Sequence, residues 1–477
     1  MSRRLLGLSL AVTLTACGGC STNPVTGDRE LSLVSEGQEI QMGEQYSKEV
    51  VASMGLVDDQ ALQTYVSTLG KQLAAESERP NLPWEFFVID DAAVNAFAIP
   101  GGKIFVTRGI LTHMTDEAEL MGVLGHEIGH VTARHSVQQM SRQQLAGLGL
   151  GIGSILSEDI ARYGQIASTG LSVLFLKYGR DAERQADELG FKYMVREGYD
   201  PRAMVDMFDI LRRTGGEGGR VPNWLATHPY PEERIATTQQ RLDTFSLNPA
   251  TLQRDQPDYM RRIDGLAFGA NPRQGFFRGT HFYHPELKFS IEFPSGWQTQ
   301  NTNQAVLAGS PQNDAIMQLT LAQGSPTQAA QQFFAQQGLQ SQNVGNSRVN
   351  GMPAVSGQFQ AQTEQGVVQG IAAFLEYGGR TYMLMGYTPA QRYGSYDGAF
   401  RRSIGTFSQV SDPAILNAQP ARVDVVTLPS AMTFAQFMQR YPSTAPAEEI
   451  AIINGVENTS TQLAAGRVMK RVVGGTN

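Results

Sequence analysis

"VLGHEIGHVTARH", residues 123–135, places three of the chain's seven histidines within ten positions and a glutamate directly after the first of them. The surrounding segment, Asp116 to Gln144, contains no proline. Thr115 precedes it as a candidate N-cap, and Asp116, Glu117 and Glu119 lie near its amino end, so it reads as one helix. At about 100° per residue, Leu120, Leu124, Ile128 and Val131 form one apolar stripe, while His126 and His130 sit about 40° apart on another side. Two imidazoles thus point at one place, with Glu127 beside them. This H-E-x-x-H spacing has a chemistry that needs those residue types. Neutral imidazole nitrogens bind zinc at about 2.0–2.1 Å, the metal lowers the pKa of water towards about 7, and the glutamate takes the proton as general base.

His135 does not complete the set on this reading. Three-histidine zinc sites of this kind use H-E-x-x-H-x-x-G-x-x-H, where the glycine breaks the helix. Here that position holds Ala133, and on a continuing helix His135 points about 140° away from His130. A carboxylate from a second helix is the alternative. "GRDAERQADELGFKYMVREGYDP", residues 179–201, has Ala182, Ala186, Leu189 and Tyr193 on one stripe, with Gly198 and Pro201 as stop signals. Glu183 and Asp187 lie four apart and are neighbours on that helix, so one can ligate while the other orients a ligand imidazole.

At 477 residues the chain is too long for one ordinary core. The net charge of -7 shows no basic excess of the kind that neutralises phosphates, which argues against a nucleic-acid partner. Residues 1–16 read as a lipoprotein signal peptide: Arg3 and Arg4, then an apolar stretch from Leu5 to Ala16, shorter than the ~20 residues that span a bilayer. Leu14-Thr15-Ala16-Cys17 resembles a lipobox, with Cys17 as the lipidated residue and Cys20 as a second candidate. Both cysteines of the chain fall here, so neither a disulfide framework nor a cysteine metal site is expected further on. Gly18, where an inner-membrane retention signal would have aspartate, favours the inner face of the outer membrane. Residues 17–268 then form the zinc-site domain. Gly269 to Gly279 reads as a linker, 280–410 as an α+β domain rich in Gln, Ser and Gly, and 423–473 as a short terminal unit.

Four ordered motifs, "NAFAIPGGKIFVTRGIL", "HEIGHVTARH", "RDAERQADELG" and "THPYPEERI", resemble the gluzincin metallopeptidase family of HtpX and the CAAX prenyl endopeptidases, in its exported BepA-like lipoprotein branch. The resemblance covers roughly Cys20 to Phe268. It implies a mainly helical zincin domain with a small β-hairpin sheet, one Zn2+ per chain held by His126, His130 and Glu183, Glu127 as the base, and Asp187 behind a ligand. It also implies a zinc endopeptidase of the periplasm, acting on misfolded or stalled envelope proteins. A different class is a non-catalytic holdase that retains the fold. Beyond Phe268 this chain departs from that branch, which continues into helical repeats.

Other segments carry weaker readings. Asn95, Ala96, Phe97 and Ala98 open a hairpin whose first strand is either an exposed edge that takes up an extended peptide or an ordinary cover for the core. His228 is expected on a loop after Trp224, stabilising an oxyanion or filling zinc's fourth position at rest, or serving structure alone. Arg234 is expected to pair with acidic groups near the site. "LAGLGLGIGSIL" and "IASTGLSVLFL" suggest buried or amphipathic helices near the mouth of the site, with glycines that let a lid move. Phe293-Pro294-Ser295-Gly296-Trp297 resembles the opening of a PsbP-like fold. Residues 423–473 resemble a LysM module, which implies peptidoglycan as a partner; a small docking domain fits equally. A murein peptidase recruited by that module is a third reading.

Overall fold

The computed structural model describes residues 20–149, 176–214, 224–245, 248, 251–302, 304–363 and 366–475. Cys17 lies outside them, as do most of the two glycine-punctuated apolar runs. The amino-terminal part begins with α1 (Glu36–Met54) and α2 (Gln60–Ala75), which lie against a three-stranded sheet. Its strands are β1 (Glu85–Ile89), β2 (Ala96–Ile99) and β3 (Lys103–Thr107). β3 is central, parallel to β1 and antiparallel to β2. Gly101 and Gly102 turn the hairpin at φ +79° and +82°, a region open to glycine at no steric cost.

The edge strand is not an exposed one. β2 is terminal in the sheet, yet none of Ala96 to Ile99 is more than 5% exposed. Of the two readings of this strand, the burial fits a cover for the core: its side chains are apolar and buried, and β2 packs on the site helix.

That helix also differs from its expected form. After α3 (Arg108–His113), α4 spans Glu117–Thr132, and its N-cap is Asp116, one residue beyond Thr115. Asp116 accepts from the Glu119 amide at 3.0 Å, while the Thr115 hydroxyl donates to Glu119 Oε1 at 2.7 Å. The expected single helix to Gln144 is broken. Arg134 adopts φ +59°, and α5 (His135–Gly149) starts as a separate helix directly after it. Tertiary bonds hold the break: Arg134 Nε donates to Glu39 Oε2 at 3.0 Å and Nη2 to the Val34 carbonyl at 2.8 Å.

α6 (Arg180–Arg196) crosses α4 at small residues. A Cβ on Gly125 would stand 3.0 Å from Gly190 Cα, and one on Gly129 would stand 3.0 Å from Ala186 Cα. Close backbone approach therefore sets the two motif helices side by side. α7 (Ala203–Arg213), α8 (Trp224–Thr227), α9 (Pro231–Thr244) and α10 (Gln256–Ile263) complete the helical unit. Leu120, Leu124, Ile128, Leu189, Phe208 and Trp224 share its main core.

The chain is α+β. Residues 280–410 hold a seven-stranded antiparallel sheet in the order 298–301, 305–309, 316–322, 380–389, 366–377, 352–363 and 339–349. Helices Pro326–Phe334 and Tyr393–Gly405 accompany it. The expected linker is ordered instead. Its strand Phe276–Arg278 pairs with His281–His284, and Arg108 Nη1 donates to the carbonyls of Ala267 at 3.0 Å and Gly269 at 2.7 Å. β4 (Ala267–Phe268) pairs with β5 (Ala421–Thr427), which pairs in turn with β6 (Val468–Gly474). Between β5 and β6 lie helices Phe434–Arg440 and Ala447–Ile453. The helical unit thus contributes a strand to the carboxy-terminal sheet. Among the described residues no helix is long and apolar enough to cross a membrane.

Candidate metal centre

His126 and His130 lie one turn apart on α4, Glu183 in the first turn of α6, and His228 directly after α8. All four are buried, and one ligand atom from each falls within 4.8 Å of the others. His126 Nε2 lies 3.0 Å from His130 Nε2 and 3.1 Å from His228 Nδ1. Glu183 Oε1 is 3.1 Å from His228 Nδ1 and 3.4 Å from His130 Nε2. Glu183 Oε2 makes no hydrogen bond although Arg234 Nη1 is 2.9 Å away.

The donor chemistry suits a divalent cation. Burial, then Arg234 and His130, push His126 well below the usual imidazole range, so it is neutral with a lone pair to offer. Burial alone would raise Glu183, but Arg234 and His228 hold it well below the ordinary carboxylate value, so it is anionic. Two converging imidazoles, a carboxylate and a buried oxygen without a hydrogen bond form a set that a cation completes. The fit stands on those converging donors.

Each remaining residue has a distinct place. Glu127 is 1% exposed, with Oε1 3.4 Å from Trp224 Nε1 and 3.5 Å from His228 Nε2. Burial, with Glu183 adding repulsion, raises its carboxyl to about 7. Asp187 Oδ1 is 2.8 Å from His126 Nδ1, behind the metal-facing nitrogen. Burial would raise Asp187, but the Arg234 fork, 2.8 Å from Nε to Oδ2 and 2.5 Å from Nη2 to Oδ1, lowers it. The Arg234 guanidinium lies 4.3 Å from the ring centres of both Phe208 and Trp224, which fixes its orientation. His228 sits among the other donors rather than on an open loop, and its amide donates to the Trp224 carbonyl at 2.8 Å. Asn95 is buried beside β2, with Oδ1 lacking a hydrogen bond.

Two contributors escaped the sequence reading. The Tyr178 ring lies with its centre 4.0 Å from that of His130, tilted by 31°, and its hydroxyl pairs with Ser136 at 2.8 Å. His135, set aside on helical geometry, packs against His130 because the helix breaks. No local signal marks Tyr178; His135 stood in plain view, and only the break was hidden.

A pair of histidines one turn apart, a carboxylate from a neighbouring helix and a glutamate held close by define a metallopeptidase-type centre. Residues 60–242 match the description Peptidase family M48, and the chain belongs to that family. It is 30% identical over 255 residues to the Beta-barrel assembly-enhancing protease of Escherichia coli (strain K12), covering 51% of this chain and 52% of that protein. It is 31% identical over 230 residues to the Mitochondrial metalloendopeptidase OMA1 of Arabidopsis thaliana, covering 48% and 44%. With the Metalloprotease YcaL of Escherichia coli (strain K12) the identity is 31% over 189 residues, covering 37% and 71%. The chain therefore spans about half the length of the assembly-enhancing protease. The solution structure of cyanobacterial PsbP from Synechocystis overlaps 28% of this chain and 94% of its own at 12% identity and a TM-score of 0.24, too low to bear on the fold of residues 280–410.

Proposed function

We infer that the chain is a zinc-dependent endopeptidase of the bacterial periplasm that hydrolyses peptide bonds in misfolded or stalled envelope proteins. The observation that carries the reaction is the buried convergence of His126, His130, Glu183 and His228 with Glu127 alongside. His126, His130 and Glu183 would hold the cation, a His2Glu set used by catalytic zinc. When bound, zinc supplies Lewis acidity, polarising a carbonyl and making water a better acid.

The chain's own groups do the rest. Glu127, raised to about 7 by burial, takes a proton from the attacking water and returns it to the departing amine. Asp187, clamped by Arg234, keeps the hydrogen of His126 on Nδ1. His228 fills the space between the ligand atoms at rest; turned outward, its ring presents an N–H to the oxyanion.

The substrate class draws support from a relative whose name specifies β-barrel assembly. Anchoring at the outer membrane through Cys17, and peptidoglycan contact through residues 423–473, belong to the same proposal. The test compares zinc content and cleavage of an unfolded protein in wild type and Glu127→Gln. Near-stoichiometric zinc in both, with cleavage reduced at least about 100-fold in the variant, is expected. Equal cleavage by both would refute the role of Glu127, and a metal-free wild type would favour the holdase.

A further inference from the structure

His135 belongs neither to the four converging residues nor to the mechanism above, yet it is 6% exposed and both its ring nitrogens are engaged. Nδ1 lies 2.9 Å from His130 Nδ1, and Nε2 lies 2.9 Å from Gln185 Oε1. An unbroken helix would carry His135 about 140° away. The left-handed turn at Arg134, fastened to Glu39 and Val34, brings it back onto the rear of His130.

We propose that His135 is a positioning residue: with Gln185 it forms a directed hydrogen-bond chain that holds His130 in the tautomer and orientation able to bind the metal. The inference deepens the reading of the cluster as a metal centre and rests on it. His130 Nε2 faces the centre, 3.0 Å from His126 Nε2. A nitrogen that gives its lone pair to a cation carries no hydrogen, so neutral His130 has its hydrogen on Nδ1. That hydrogen points at His135 Nδ1, which must accept. His135 then carries its own hydrogen on Nε2 and donates it to Gln185 Oε1, an oxygen that only accepts. Every ring hydrogen in the chain is assigned, with no alternative that keeps all three bonds.

The arrangement also has a structural economy. Gln185 lies on α6 between Glu183 and Asp187, so a single helix provides a carboxylate ligand and the support behind both histidines. The two supports differ in kind. His126 is backed by a carboxylate neutralised by Arg234, whereas His130 is backed by an uncharged imidazole and an amide. The neutral support orients His130 without adding negative charge to the centre.

The test uses the full chain as His135→Leu, which keeps apolar bulk, and His135→Asn, which keeps an acceptor near the Nδ1 position. Zinc affinity is measured by chelator competition, and the ligand field by the visible spectrum after Co2+ substitution. His135→Leu should weaken zinc binding about 10- to 100-fold and shift the Co2+ bands, with His135→Asn recovering most of the loss. Gln185→Leu, at a half-buried site, should produce a smaller change of the same sign and serves if His135→Leu fails to fold. Wild-type affinity and an unchanged spectrum in His135→Leu would overturn the proposal alone; so would an Asn variant as weak as the Leu variant. A wild type that binds no zinc would overturn the metal-centre reading and this proposal together.

Discussion

The two ends of α4 both bury ionisable side chains, and they do so in opposite ways. At the amino end, Asp116 caps the helix and pairs with Arg254 at 2.7 Å, and Glu119 accepts from the Thr115 amide and hydroxyl. Lys470, from β6, reaches in with Nζ 2.9 Å from the Thr112 carbonyl and 2.6 Å from that of Met114. None of these side chains leaves a buried polar atom unmet. At the other end, His130 Nε2 and His228 Nδ1 both crowd within 3.1 Å of His126 Nε2, and Glu183 Oε2 and Arg234 Nη1, an ion pair at 2.9 Å, make no hydrogen bond. A charge cluster that satisfies itself joins parts of a molecule; one that leaves atoms unmet is prepared for something else.

The contrast can be broken most forcefully at Lys470. Lys470→Met keeps the aliphatic stem but removes the donor to two buried carbonyls, each worth about 1–3 kcal/mol when stranded. Urea unfolding of the full chain should show about 2–5 kcal/mol less stability. Zinc content and cleavage rate per folded molecule should stay at wild-type values. A fall in zinc content would mean that the two ends are coupled and the comparison fails.

His113, on the same docking surface, sharpens it through pH. Its ring stacks on Phe268, its Nδ1 hydrogen bonds the Gly109 carbonyl at 2.8 Å, and burial lowers it from 6.5 to about 4. Between those values the unfolded chain binds more protons than the folded one. Stability is therefore complete above about pH 6.5 and is lost as pH falls towards 4, by up to about 3 kcal/mol. His113→Asn should flatten that part of the stability curve. An acid limb of unchanged steepness in the variant would assign the loss to other groups.

What could be read from the sequence follows from which forces are local. The bearings of His126 and His130 depend only on helical period, and the E-x-x-x-D pair of α6 likewise. The hairpin is written in Gly101 and Gly102, whose positive φ angles the chain order anticipates. The break at Arg134 is different: a non-glycine residue holds a left-handed turn because Glu39 and Val34, about 100 positions away, bind its guanidinium. For that reason alone His135 lies against the rear of His130, still outside the four converging residues. The docking role of Lys470 was equally hidden, since a lysine in a terminal strand reads as solvated until the Thr112 and Met114 carbonyls are in place. In the expected linker, Phe276–Arg278 became a strand only because His281–His284 lies beside it.

The smallest change in stability should have a disproportionate effect on the site. Gly190 faces α4, and a Cβ added there would lie 3.0 Å from the His126 amide nitrogen and 3.1 Å from the Gly125 carbonyl carbon. Overpacking of this kind costs about 1–3 kcal/mol, while exchanging glycine for alanine inside a helix returns about 0.5–1 kcal/mol. Gly190→Ala should therefore lose only about 1 kcal/mol or slightly more in urea unfolding. The displacement, however, falls between the helix bearing His126 and the helix bearing Glu183. Shifts of a few tenths of an ångström between metal ligands reduce turnover far more than they reduce stability, so cleavage should drop about 10-fold or more. Glycine-to-alanine exchange at Gly394, in the helix Tyr393–Gly405, where the added atom meets nothing within 4 Å, provides the control and should leave cleavage unchanged. If Gly190→Ala instead cleaves at the wild-type rate, the site end of α4 tolerates repacking as readily as an ordinary core. The distinction between a cluster that holds and a cluster that binds would then have to rest on the unmet atoms alone.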